Sequence, residues 1–234
     1  MTYPNFGAQR ARKIIILNLP RVEHSDGSRF PRFAMKILRA LGYRFATISE
    51  ALQGPDERYA CLSFEGLRPA LTHLSVPATL FVCVSELTPP DWLTLRNLKA
   101  AGWEIGSSGM APSNLTDLSY AEQQAAIVEA RRILEEQLGE APRIFSYPFG
   151  AYDATTVSVV RDAGFDAAVT AARGINGSAE GHPYHLRRLS LAPNSLRDMT
   201  SLVKHALIAA PAEANPLLPG TAPSRRRVRS GAVS

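Results

Sequence analysis

Runs such as Thr79-Leu80-Phe81-Val82-Cys83-Val84 are apolar with little polar alternation, and a strand of that kind has to be covered on both faces. Comparable short β-branched or aromatic runs occur at Lys13–Leu17, Arg44–Ile48, Tyr59–Phe64, Trp103–Gly106, Arg143–Tyr147, Ala167–Thr170 and Arg187–Leu191. Between several of them lie stretches of helical apolar spacing that close on glycine, at Leu41-Gly42-Tyr43, Ala101-Gly102-Trp103, Leu138-Gly139 and Ala163-Gly164-Phe165. Helices are predicted at about Arg32–Leu41, Trp92–Ala101, Tyr120–Leu138 and Ala154–Ala163. Ser119 with Glu122 forms a capping-box pair before the third, and Asp153 is the N-cap of the fourth. Strand followed by helix, repeated, demands an α/β fold with a parallel sheet. About seven or eight strands in roughly 200 residues favour a small closed barrel over an open sheet.

The chain of 234 residues is 45% hydrophobic and 20% charged, enough apolar material for a full core without staples. No apolar run approaches the ~20 residues of a membrane span, and Ile14-Ile15-Ile16-Leu17 is too short for a secretory signal. A cytoplasmic location is therefore expected. The net charge of +5 is concentrated in Arg225-Arg226-Arg227-Val228-Arg229, which argues against an extended nucleic-acid surface; that stretch reads as a solvated tail able to contact an acidic partner. The expected division is an N-terminal arm (1–12), one domain (13–209) and a flexible Pro/Arg-rich tail (210–234).

General chemical motifs are missing: no Walker loop, no GxGxxG, no CxxC and no HExxH. His182 and His185 read as surface loop histidines, because Pro183 and Gly181 oppose a helix there. Cys61 and Cys83 fall on successive strands and are expected to be neighbours in space, as buried free thiols, with a redox pair as the alternative.

The order of the blocks carries more information. Leu41-Gly42-Tyr43-Arg44 with Thr47-Ile48-Ser49-Glu50-Ala51-Leu52 precedes Leu62-Ser63-Phe64-Glu65-Gly66, then Val76-Pro77-Ala78-Thr79-Leu80-Phe81-Val82. Next come Ala101-Gly102-Trp103-Glu104-Ile105-Gly106, the long helix, Phe145-Ser146-Tyr147-Pro148-Phe149-Gly150-Ala151-Tyr152-Asp153 and Leu186-Arg187-Arg188-Leu189. From about Ile15 to Leu207 this series resembles the polysaccharide deacetylases with a NodB-homology domain, in the branch whose third motif reads Tyr-Pro-Tyr-Gly. The resemblance implies a distorted (β/α) barrel of about seven parallel strands with its site at the strands' C-terminal ends. It also implies a divalent metal held by one Asp and two His, a second Asp as base, and removal of acetyl groups from N-acetylated sugars.

Against that pattern, Ser63-Phe64-Glu65-Gly66-Leu67 stands where Thr-Phe-Asp-Asp-Gly belongs, so Glu65 keeps a carboxylate at the base position and Gly66 replaces the metal-binding Asp. The two His positions hold Ser108 and Pro112, and the upstream Tyr-His-Arg-Val block reads Leu19-Pro20-Arg21-Val22. No metal and no other cofactor is expected. Ser146 occupies the place of the family's motif arginine, and Leu186-Arg187-Arg188-Leu189 resembles the branch's later Leu-Pro-Arg-Ile block, which leaves Arg188 two readings: a partner of Glu65 at the barrel mouth, or a surface arginine at a strand end.

Three readings remain. In the first, the barrel survives as a non-catalytic protein with a carbohydrate or protein ligand, contacted by Ser63, Ser107, Ser108, Tyr147, Phe149, Tyr152 and Arg188, with Trp92 equally well placed in the core. In the second, Glu65 is the general base of a metal-independent hydrolase of amide bonds; a serine nucleophile would need a histidine, and His73 is the nearest in sequence. In the third, the protein interacts through its basic tail.

Overall fold

The computed structural model describes residues 12–19, 29–55, 57–67, 76–177, 182–191 and 195–208. The N-terminal arm, the basic tail, His73 and Pro20-Arg21-Val22 lie outside them. In chain order the elements are β1 (Lys13–Asn18), α1 (Arg29–Ala40), β2 (Arg44–Phe45), α2 (Ile48–Gln53), β3 (Arg58–Glu65), β4 (Ala78–Val82), α3 (Pro89–Ala100) and β5 (Glu104–Ser107). They continue with α4 (Tyr120–Leu138), β6 (Ile144–Ser146), α5 (Ala154–Asp162), β7 (Ala167–Arg173), β8 (Asn176–Gly177), β9 (Leu186–Ser190) and α6 (Leu196–Ile208).

Seven parallel strands close on themselves in the order β1-β3-β4-β5-β6-β7-β9, β9 returning to β1. β2 extends the lower part of the β3 edge that β4 uses further up, and β8 runs antiparallel beside the start of β1. The expected barrel is therefore the observed one. Its lumen is filled by Ile14, Ile16, Tyr59, Cys61, Phe81, Ile144, Ala167, Val169 and Leu186, all buried. The alternate residues of β1, β3 and β4, among them Ile15, Leu17, Leu62, Phe64 and Leu80, pack outward with Leu38, Leu95, Leu134 and Leu202 of the helices. Those strands lack alternation because both faces are covered. Gly106 admits the Phe81 ring into the lumen: a Cβ there would sit 2.6 Å from that ring.

Helix starts follow the sequence signals. Ser119 and Glu122 cap α4 reciprocally, Gly139 closes it at φ 75°, and Asp153 accepts from the Thr156 N–H at the head of α5. The strand expected at Arg44–Ile48 is shorter, because Thr47 and Glu50 form a second capping box that starts α2. Cys61 and Cys83 are both free and buried, but they are not neighbours. The β3/β4 register pairs Leu62 with Ala78 and Glu65 with Phe81, so Cys61 lies near the N-terminal end of the barrel and Cys83 beyond its C-terminal end.

Candidate active-site cleft

At the C-terminal end of the barrel, side chains that point into the lumen meet solvent in a cleft of about 470 Å³. Its lining includes Asn18, Glu65, Gly66, Cys83, Glu86, Ser108, Pro112, Tyr147, Phe149 and Arg188. Glu65 ends β3, and three side chains from three other segments converge on it. Arg188 of β9 donates from Nη1 to Glu65 Oε1 at 2.5 Å, Ser146 of β6 donates to the same oxygen at 2.9 Å, and Ser108 lies 3.4 Å from Oε2. Arg188 is itself pinned, its Nε donating to the Thr170 carbonyl at 2.8 Å, and its side chain is 7% exposed against 43% for Glu65. Of the two readings of Arg188, the pairing with Glu65 is thus the one present.

The other expected contacts divide. Ser108 lines the cleft, whereas Ser107 and Ser63 do not. Ser107 is fully buried on the outward face of β5, two residues from Ile105, where its hydroxyl accepts the Gly109 N–H. Ser63 points inward but one layer below Glu65; it is fully buried and donates to the Leu17 carbonyl. Tyr147 touches the cleft but is 1% exposed, stacks on Tyr152 at 4.7 Å and bonds the Tyr184 carbonyl, so its ring faces are occupied by protein. Tyr152 lies behind it, sandwiched toward His185, and is not part of the lining. Trp92 is half-buried against the outer core. Phe149 differs from all of these: it is 75% exposed and holds φ 58°, the one non-glycine residue among those described with positive φ.

Asn18 and Glu86 are not singled out by the sequence, and Cys83 is read there only as a buried free thiol. Strand alternation from buried Ile14 and Ile16 would have found Asn18, and alternation from Phe81 would have found Cys83. Burial, reinforced by the nearby Glu86 and Glu65 charges, pushes the Cys83 thiol up to about 12.

The donor set does not suit a divalent cation of the expected kind. Among the described residues no group of three His, Cys, Asp or Glu is arranged to hold a metal ion. Around Glu65 stand two serine hydroxyls, Pro112 with no donor atom in its side chain, and a guanidinium whose positive charge would oppose a cation. Gly66, beside Glu65, sits at φ 73°, a backbone region in which a ligand-bearing side chain would be strained.

A polysaccharide deacetylase family model matches residues 61–168, the stretch from mid-β3 to β7 that carries Glu65, Ser108 and Ser146. This region is similar to polysaccharide deacetylase domains. YxkH of Bacillus subtilis (strain 168), named as a polysaccharide deacetylase, is 23% identical over 206 residues, 79% of this chain and 74% of that protein. Among solved structures, the Streptococcus pyogenes deacetylase PplD in complex with acetate superposes with a TM-score of 0.65 at 20% identity, over 83% of this chain and 99% of that one. IcaB from Ammonifex degensii gives 0.67 at 20% identity, over 84% and 98%. These two structures share the barrel fold. The barrel of this chain thus has its cleft at the strand ends at which the family resemblance sets the site.

Proposed function

We propose that this deacetylase-like protein has lost the Asp-His-His metal site and that its cleft serves as a non-catalytic carbohydrate-binding site. The observation that carries the reading is the Glu65–Arg188 pair at the cleft floor, flanked by Gly66, Ser108 and Pro112 at the family's three ligand positions. A guanidinium takes the role of counter-charge to the carboxylate, and it can only hold charge in place, not polarise an acetyl group as a Lewis acid does. Without a Lewis acid, what remains is a walled cleft with polar groups on its floor and an exposed aromatic ring at its rim.

One feature favours the hydrolytic alternative. Glu65 Oε1 accepts from Arg188 and Ser146, Oε2 lies 3.4 Å from the Ser108 hydroxyl, and the side chain is 43% exposed, so a carboxylate in the position of the family's base is within reach of a bound ligand. Two measurements separate the readings. Metal content after soaking with zinc or cobalt and desalting is expected to be below stoichiometric; a bound ion in one-to-one ratio overturns the loss of the site. Acetate release from N-acetylglucosamine oligomers and from small amides is expected to be absent; release that Glu65→Gln abolishes establishes the hydrolase instead.

A further inference from the structure

Helix α1 carries a charge pattern that works against the helix itself. Arg32, Lys36 and Arg39 are all exposed on it, at spacings of four and three residues, and its sequence includes no Asp or Glu. Like charges at those spacings repel along one helix face, and Arg32, near the start, opposes the helix dipole. Helix α4, across the ring between β5 and β6, is arranged in the opposite way. Its first turn holds Glu122, its four glutamates outnumber its two arginines, and Arg132 pairs with Glu129 and Glu136.

Helix α6 continues the basic face. It packs beside α1, where the Tyr43 hydroxyl just past α1 donates to the Ala206 carbonyl at 3.3 Å, and it exposes Arg197 and Lys204. Its one acid, Asp198, has a side chain only 14% exposed and is paired with Arg173 of β7. Among the described residues, none of the five cations is in an ion pair; Arg39 rests on the Phe45 ring. Beyond α6 the sequence adds Arg225, Arg226, Arg227 and Arg229 against Glu213, so the chain continues from this side of the barrel with the same sign. Amid these charges Phe33, next to Arg32 and one turn from Lys36, is 57% exposed.

Positive charges spread over two adjacent helices fit an extended array of negative charge rather than one small anion. From Arg32 to Arg39 alone they span about 10 Å of helix. An exposed phenylalanine among them fits an apolar layer beneath that charge. Duplex nucleic acid offers the charge but keeps its bases stacked, whereas a bilayer of anionic lipid offers both charged headgroups and apolar chains below them.

We infer that the α1–α6 face is a docking surface for an anionic lipid bilayer, with Arg32, Lys36, Arg39, Arg197 and Lys204 meeting lipid phosphates and Phe33 entering the headgroup layer. No residue of α1 or α6 lines the strand-end cleft, so the docking does not use it and the inference is independent of the carbohydrate reading.

Co-sedimentation of the full-length protein with sucrose-loaded vesicles tests it, equal parts of phosphatidylglycerol and phosphatidylcholine being compared with phosphatidylcholine alone. Binding is expected on the anionic vesicles only and is expected to be lost in about 1 M salt, where charges are screened within about 3 Å. Lys36→Gln and Lys204→Gln are each expected to weaken it about fivefold, the effect of one cation at an anionic membrane surface. Arg132→Gln removes the same charge from the far side of the barrel and is expected to leave binding unchanged. Phe33→Ser is expected to weaken vesicle binding while leaving retention on a duplex DNA column as it was; thermal melts report whether each variant has folded. No binding to the anionic vesicles, or equal binding to phosphatidylcholine, overturns the inference. An equal loss in Arg132→Gln means that net charge and not this face is responsible, and undiminished binding in folded Lys36→Gln and Lys204→Gln moves the contact to the basic tail; each overturns the docking surface. Duplex DNA that displaces the protein from vesicles at equal phosphate concentration, with Phe33→Ser altering neither, makes the face a nucleic-acid surface and overturns the lipid assignment.

Discussion

Two glutamates face the lumen from opposite ends of the barrel, and their surroundings differ in kind. Glu104 begins β5 at the N-terminal end, where its carboxylate accepts from the Ile48 and Ser49 N–H groups at 3.1 and 3.3 Å, from the Thr79 hydroxyl at 2.8 Å, and from the Ser49 hydroxyl. Among the described residues no hydrogen-bond partner of Glu104 is charged; backbone amides at the head of α2 and hydroxyls do the neutralising. Glu65, at the other end, is held by the Arg188 cation and stays 43% exposed. One carboxylate, half-buried beside a second cleft of about 290 Å³, is tied down as a fastener between β5, β4 and α2. The other is held rigidly but left in reach of a ligand.

The sharpest way to break this contrast is at the tied-down end. Glu104→Ala leaves several donors without an acceptor and is expected to destabilise the protein by about 3 kcal/mol, measured by urea unfolding. Burial raises the pKa of Glu104 above its ordinary value of 4.5, against the opposing pull of its hydrogen bonds. The native state thus holds this proton more tightly than the unfolded chain does. The associated stability is complete below the ordinary value and is lost as pH rises from there through the folded value. Glu104→Gln is expected to remove that part of the pH dependence, so the difference in stability between it and the parent should change across this window; a difference independent of pH would mean that Glu104 is not desolvated.

At the open end the effect should be smaller. Arg188→Met removes a buried cation from Glu65 and from the Thr170 carbonyl, yet water reaches the orphaned carboxylate. The expected loss is about 2 kcal/mol, below the roughly 3–5 kcal/mol of breaking a fully buried pair. Rescue of both stability and ligand binding by Arg188→Lys should be incomplete, since a lysine cannot donate to Glu65 and the carbonyl at once in the same fork. A loss as large as that of Glu104→Ala would erase the distinction between the two ends.

The barrel was legible because its evidence is redundant: unalternating runs, glycine stops and capping boxes all require buried parallel strands between helices. Glu65, Arg188 and Ser108 were legible through the order of the blocks. The failures arose where adjacent residues were given one role. Ser107 and Ser108 are neighbours in sequence, but a period of two sends one to the outer layer and the other to the cleft. Tyr147 and Phe149 belong to one motif, yet the first is packed between Phe145 and Tyr152 while the second is turned out by its positive φ. Helix α2 was missed although Thr47 and Glu50 announce it, because the short β-branched run before it invited a longer strand. Asn18 carries only the weak signal of strand alternation from Ile14 and Ile16, since a lone asparagine at a strand end is ordinary until its neighbours across the barrel are known.

The two thiols give the mildest test of the same comparison, because they report on the two ends without disturbing either. Cys61 is fully buried and donates to the Thr47 carbonyl near Glu104's end; Cys83 is 7% exposed, donates to the Ser108 carbonyl and borders the cleft. Burial raises both above their ordinary value, with Cys83 near 12. Alkylation needs the thiolate and a path for the reagent, so at pH 7 neither should react measurably in the native protein. Between pH 8 and 10, iodoacetamide should label Cys83 at a rate rising about tenfold per pH unit, while Cys61 stays unmodified until the barrel unfolds. Ligand bound in the cleft should slow Cys83 alone. Mass spectrometry of the tryptic peptides distinguishes the two sites, and equal labelling of both would mean that the N-terminal end of the barrel is not closed.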